Sequence, residues 1–230
     1  MQYRMSRIVA GPALRTFCRT EVTGAENIPL TGPAILASNH LSVIDSIFLP
    51  LMVSRPVTFA AKSEYFTGTR LRDKAVATYL RATNQLSTDR AGSRAAQDML
   101  EAALGLLGAG QLFGIYPEGT RSPDGRLYRG RTGVGWLALH SGAPVIPVAM
   151  IGTEKLMPPG ARIPRPGKIG IRIGEPLTFD ALMAEGPGAR QRRAVTDEVV
   201  QAIQKLSGQE YVPMYASARK DELAAERSAS

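Results

Sequence analysis

Six short runs, mostly apolar, alternate along the chain with stretches of helical periodicity, and this constrains the fold more than anything else. The runs cover 33–38, 56–61, 85–87, 112–116, 145–150 and 168–173. Between or after them lie helical segments at 45–53, 71–80, 93–107, 133–141 and 189–206. The 93–107 segment shows the helical period clearly, with Ala96, Met99, Leu100, Ala103, Leu104 and Leu107 on one face and charges opposite. Continuous apolar strands separated by helices predict an α/β fold: a central, mostly parallel or mixed sheet flanked by helices. No internal repeat interrupts the pattern.

In open α/β sheets the ligand lies beyond the carboxyl ends of the strands. Four of these ends present Asn39-His40, Lys62, Asp89-Arg90 and Pro117-Glu118-Gly119-Thr120-Arg121-Ser122. All the conspicuous polar residues therefore converge on one edge. His40 at the mouth of a strand and Asp45 at the head of the next helix form a natural base and orienter. A carboxylate on the second imidazole nitrogen fixes the tautomer and stabilises the charge the ring gains. Residues five apart on one helix differ by roughly 140° around its axis, so the two side chains meet only if His40 lies in the preceding loop. Lys62, Arg90 and Arg121 supply positive charge, and Gly119 is where backbone approaches an oxyanion or phosphate. Read alone, Glu118 also fits a structural partner of Arg90 or Arg121. His140, before Ser141-Gly142, fits a helix C-terminus.

Several chemistries are excluded. No serine sits in a nucleophile-elbow context, and no Walker-type glycine loop exists. Two histidines and one cysteine, Cys18, leave no multi-histidine or Cys/His metal set. The lone cysteine excludes an internal disulfide and fits a reducing compartment. The formal charge of +8 suits an anionic partner. Aromatics make up only 6% of residues and are not interleaved with the basic clusters, which argues against a single-strand stacking platform, and no nucleic-acid motif is recognisable. A base and orienter without a protein nucleophile, set among cations, point to deprotonation of a hydroxyl on a phosphorylated substrate.

Asn39-His40 to Asp45, Lys62-Ser63-Glu64, Thr88-Asp89-Arg90, Tyr116-Pro117-Glu118-Gly119-Thr120-Arg121-Ser122 and Val145-Ile146-Pro147-Val148-Ala149 occur in the order and spacing of a known family. Through these blocks the region from Val22 to Pro176 resembles the glycerolipid acyltransferases of the 1-acylglycerol-3-phosphate (lysophosphatidic acid) type. Tyr116 replaces the family's Phe, and Arg129-Gly130-Arg131-Thr132-Gly133 replaces a Lys-x-Gly element. The resemblance implies His40 as general base and Asp45 as its positioning residue. It implies acceptor binding by Glu118, Gly119, Thr120 and Arg121, with Lys62 and Arg90 as further positive charge. The partners it implies are a lysophospholipid acceptor and an acyl thioester, acyl-CoA or acyl-carrier protein, with no other cofactor, no metal and no nucleic acid. Another lysophospholipid, a glycolipid, glycerol 3-phosphate, or an inactive lipid-binding role remain alternatives.

The expected organisation is a basic amphipathic helix over 1–20, an acyltransferase domain over 21–210 and a fraying polar tail over 211–230. The 22-residue uncharged run from Thr132 to Thr153 has the length of a membrane span, but Gly142, Pro144 and Pro147 divide it into a helix and a strand. Peripheral attachment at the cytoplasmic face of the membrane, through cationic and apolar surface, is the expectation.

Overall fold

The computed structural model describes residues 16–63, 67, 74, 77, 78, 80, 85–88, 93–158, 161 and 165–228, with backbone alone at 62, 87, 88 and 93. The expected helix over 1–20 falls outside the described residues up to residue 15, and most of the 71–80 helix falls outside them too.

Among the described residues seven strands form one sheet: β1 (Thr20–Thr23), β2 (Ala34–Ser38), β3 (Val57–Lys62), β4 (Leu86–Thr88), β5 (Leu112–Ile115), β7 (Val145–Ile151) and β8 (Ile169–Ile173), in the order β1-β8-β7-β2-β5-β3-β4. A separate parallel pair joins β6 (Leu127–Tyr128) to β9 (Tyr211–Val212). Of these seven described strands, β7 and β8 pair antiparallel and the other neighbours pair parallel. The sheet is thus the mixed, mostly parallel one expected.

Period-two alternation sends neighbouring side chains to opposite faces. On β2, Ala34 and Leu36 join one core with α1 (Asp45–Met52), while Ile35 and Ala37 join another. The second core is covered by α2 (Ser93–Gly108), α3 (Gly133–Ser141) and α6 (Ala189–Ser207). Complete burial of side chains such as Leu36 and Phe113 stabilises the fold by about 1.5–3 kcal/mol each. Helices α3 and α6 cross closely because Gly135 has no side chain, and a Cβ there would run into the carbonyl oxygen of Arg192. Gly142 ends α3 in the left-handed region (φ 64°), with its amide bonded to the Ala138 carbonyl.

Short helices α4 (Thr153–Leu156) and α5 (Asp180–Ala184) complete the connections. The chain does not fray after 211. Beyond β9 it forms α7 (Ala216–Ser228), where Arg219 pairs with Glu222 at 2.9 Å and Glu226 at 3.0 Å. Such pairs at helical spacing support a helix that has little apolar surface of its own.

Candidate active site

His40 lies in the loop after β2, and Asp45 opens α1. The loop folds back so that His40 Nδ1 stands 2.9 Å from Asp45 Oδ2. The same oxygen accepts the backbone N–H groups of Leu41 and Ser42, both at 2.8 Å. Asp45 is fully buried. A carboxylate accepts only, so the ring donates from Nδ1 and its basic lone pair sits on Nε2.

Two further buried polar residues hold this loop. Asn39 extends the ladder between β2 and β7 with its side chain. Its Nδ2 donates to the Met150 carbonyl at 2.9 Å, and its Oδ1 accepts the Met150 N–H at 2.7 Å. The second Nδ2 hydrogen goes to Gln209 Oε1 at 2.7 Å. Glu118 is 1% exposed and ties the 117–122 turn to the histidine loop. Its Oε2 accepts the His40 N–H at 3.2 Å, and its Oε1 accepts the Tyr128 N–H at 3.0 Å. Ser122 N–H returns to the His40 carbonyl at 2.7 Å. Burial pushes the Glu118 carboxyl up to about 7, the two amides pull it partly back, and nearby Asp45 pushes it further.

Glu118 therefore departs from the expected acceptor contact and from a partnership with Arg121. Both oxygens are spent on backbone amides inside the protein, because two loops carrying unpaired N–H groups meet there. The side chain is a brace between motifs.

A stack of rings runs from the histidine across the sheet. Tyr116 lies parallel to His40 at 3.9 Å between centroids, and Phe59 follows Tyr116 at 5.2 Å. Tyr116 Oη is 2.9 Å from Ser46 Oγ, a contact that Phe would lack. The Phe59 ring covers Gly114, its register partner on β5, where any Cβ would collide with it. A cavity of about 590 Å³ opens along this stack, lined by His40, Tyr116, Gly119 and Arg131 and by the apolar side chains of Phe59, Met99 and Leu100. The base and the Gly119 turn thus share one cavity.

Gly119 has φ 72°, and the Arg131 side chain packs over it. Arg121 is exposed at the surface beyond this turn. Arg131 also donates to Ser217 Oγ at 3.1 Å and lies over the Tyr215 ring at 5.1 Å. Thr120 Oγ1 accepts from Lys220 Nζ at 2.6 Å. Lys62 closes β3 opposite Thr88, so its backbone sits at the same sheet edge as His40. Its side chain, Asp89 and Arg90 lie outside the described residues. His140 ends α3, bonded through Nδ1 to the Trp136 carbonyl at 2.8 Å and stacked on the Trp136 ring, the structural role expected of it.

Ser217 and Lys220 are not legible as site residues, because the sequence beyond 211 reads as a loose polar tail, and Gln209 is not, because it lies in an unpatterned stretch after the 189–206 helix. The spacing of Arg219, Glu222 and Glu226 was the available signal for a helix there. Among the described residues, no group of three His, Cys, Asp or Glu side chains is placed to hold a metal ion.

Taken together, the site offers an oriented imidazole lone pair, an apolar cavity beside it and cations around a glycine turn. Comparison with known proteins places the chain in a family. A 1-acyl-sn-glycerophosphate (LPA) acyltransferase from Thermotoga maritima superposes with a TM-score of 0.68 at 29% identity, over 89% of this chain and 79% of that one. A 1-acyl-sn-glycerol-3-phosphate acyltransferase from Bacillus subtilis is 28% identical over 188 residues, 81% of this chain and 87% of the relative. A chloroplastic 1-acyl-sn-glycerol-3-phosphate acyltransferase from Brassica napus is 29% identical over 75% of this chain and 49% of its own length. A second chloroplastic relative, from Arabidopsis thaliana, is likewise covered over 48%, so the chain spans about half the length of these plant relatives. The family model described as Acyltransferase matches residues 19–151, which include His40, Asp45 and the 117–122 turn, and the chain belongs to the acyltransferase family.

Proposed function

We propose that the protein transfers a fatty acyl group from an acyl thioester, acyl-CoA or acyl-carrier protein, to the free hydroxyl of 1-acylglycerol 3-phosphate, giving phosphatidic acid. The observation that carries this reading is the His40–Asp45 pair, with Nδ1 fixed at 2.9 Å from a buried carboxylate. Nε2 accepts the acceptor hydroxyl's proton as that oxygen attacks the thioester carbonyl carbon. The tetrahedral intermediate collapses with cleavage of the C–S bond, and the imidazolium returns the proton to the departing thiolate. No acyl-enzyme forms. Asp45 stabilises the imidazolium while it lasts. The apolar cavity suits a fatty chain, and Arg121 suits the acceptor phosphate through its forked donors.

A membrane-derived acceptor is supported by the +8 formal charge, which favours an anionic lipid surface. Among the described residues no helix is long and apolar enough to cross a membrane. The attachment proposed is peripheral, at the cytoplasmic face. The test is thiol release from acyl-CoA with and without lysophosphatidic acid, with phosphatidic acid measured as product. Acceptor-dependent release is expected. Release with uncharged lysolipids but none with lysophosphatidic acid would overturn the choice of acceptor.

A further inference from the structure

Helix α7 lies outside residues 19–151, to which the family match extends, and it reaches back to the Gly119 turn at two points. Ser217 holds Arg131, and Lys220 holds Thr120. The helix is seated firmly, since Ala216 is fully buried and the Met214 carbonyl just before it accepts the Arg129 N–H at 3.0 Å.

Lys220 takes no part in the ion-pair cluster on its helix. Glu222 and Glu226 are taken by Arg219, the residue before it. The bond to Thr120 uses one of its three N–H donors. Burial and the neighbouring Arg121 guanidinium hold the Lys220 ammonium below its usual range, and Glu118 offsets this in part. Glu118 already gives both oxygens to backbone amides. Lys220 and Arg121 thus form a like-charged pair flanking Thr120, with no ion-pair partner for either among the described residues. Placing two cations together costs energy unless an anion joins them.

We propose that Lys220 is a phosphate ligand for the acceptor, acting with Arg121 across the Gly119–Arg121 turn, so that the carboxyl-terminal helix completes the headgroup site. The inference rests on the acceptor reading given above. It names a residue for that role far along the chain from the motif it serves.

The test is calorimetric binding of sn-glycerol 3-phosphate to the full chain, compared among wild type, Lys220→Met and Lys220→Arg. Losing a charge-assisted contact should weaken binding by about tenfold in Lys220→Met. Lys220→Arg should restore it to within about threefold, since a cation remains. Equal affinity in Lys220→Met and wild type, or no binding by wild type, would overturn the proposal. Turnover of lysophosphatidic acid by wild type reports separately on the acceptor reading. An active wild type whose Lys220→Met variant keeps its KM for lysophosphatidic acid would refute the phosphate ligand and leave the activity standing.

Discussion

Asn39, Asp45 and Glu118 are buried and tied to main chain around the imidazole, whereas Arg121, Arg131 and Lys220 stand at least partly exposed, the last two bonded to side-chain hydroxyls. The first group is fixed before any substrate arrives. Its main-chain partners are the amides of residues 40–42, the amide and carbonyl of Met150 on β7, and the Tyr128 amide. The second group has room to adjust. A reacting proton needs a lone pair held at one angle, while a phosphate tolerates several placements of positive charge. Rigidity is thus concentrated around the proposed base, and charge around the proposed acceptor site.

The largest effect should come from the rigid side. His40→Ala is expected to lower acyl transfer roughly a thousandfold while lipid-vesicle binding persists, measured by thiol release and by sedimentation with vesicles. Unchanged transfer would break the comparison outright. Next is the brace. Glu118 holds its proton to about pH 7 in the folded chain, against 4.5 as its ordinary value. The folded state binds the proton more tightly, so this stabilising contribution is complete below pH 4.5 and is lost as pH rises through about 7. The loss should be on the order of 3 kcal/mol, read by chemical denaturation at pH 4 to 8. Glu118→Gln should flatten that slope; a slope that survives the substitution assigns it elsewhere.

On the adaptable side, Arg121→Ala should raise the KM for lysophosphatidic acid by about tenfold and change kcat less. A fall in kcat with constant KM would place Arg121 in the transition state and blur the division drawn above. The smallest effect belongs to Tyr116→Phe. It removes the bond to Ser46 but keeps the ring on His40, so stability should fall by about 1 kcal/mol and turnover by less than tenfold. A larger fall in turnover would mean that the hydroxyl, not only the ring, sets the imidazole.

Much of this was legible in the sequence, for physical reasons that differ by element. The strands ending at Ser38, Ile115 and Ile151 announce themselves as apolar runs because both sheet faces are covered. Helix α3 matches its expected limits because Gly142 and Pro144 stop it. The His40–Asp45 pair is legible because five residues at a strand-to-helix turn allow one geometry. The fate of Glu118 is not, since a carboxylate in a turn serves a ligand or a loop equally well until the loops are in place. Helix α7 is hidden because its stability comes from ion pairs and from contacts with the 119–131 region, which no local pattern reveals.

Gln209 sits at the junction of these regions, receiving Asn39 Nδ2 while donating to the Gly125 carbonyl at 2.6 Å. Proteolytic clipping after Ser207 would therefore do more than trim an appendage. It would strip a hydrogen-bond acceptor from beneath the histidine loop, remove the partner strand of Leu127–Tyr128 and release Arg131 from Ser217. Such a cut spares every strand of the large sheet but leaves the histidine loop unlatched.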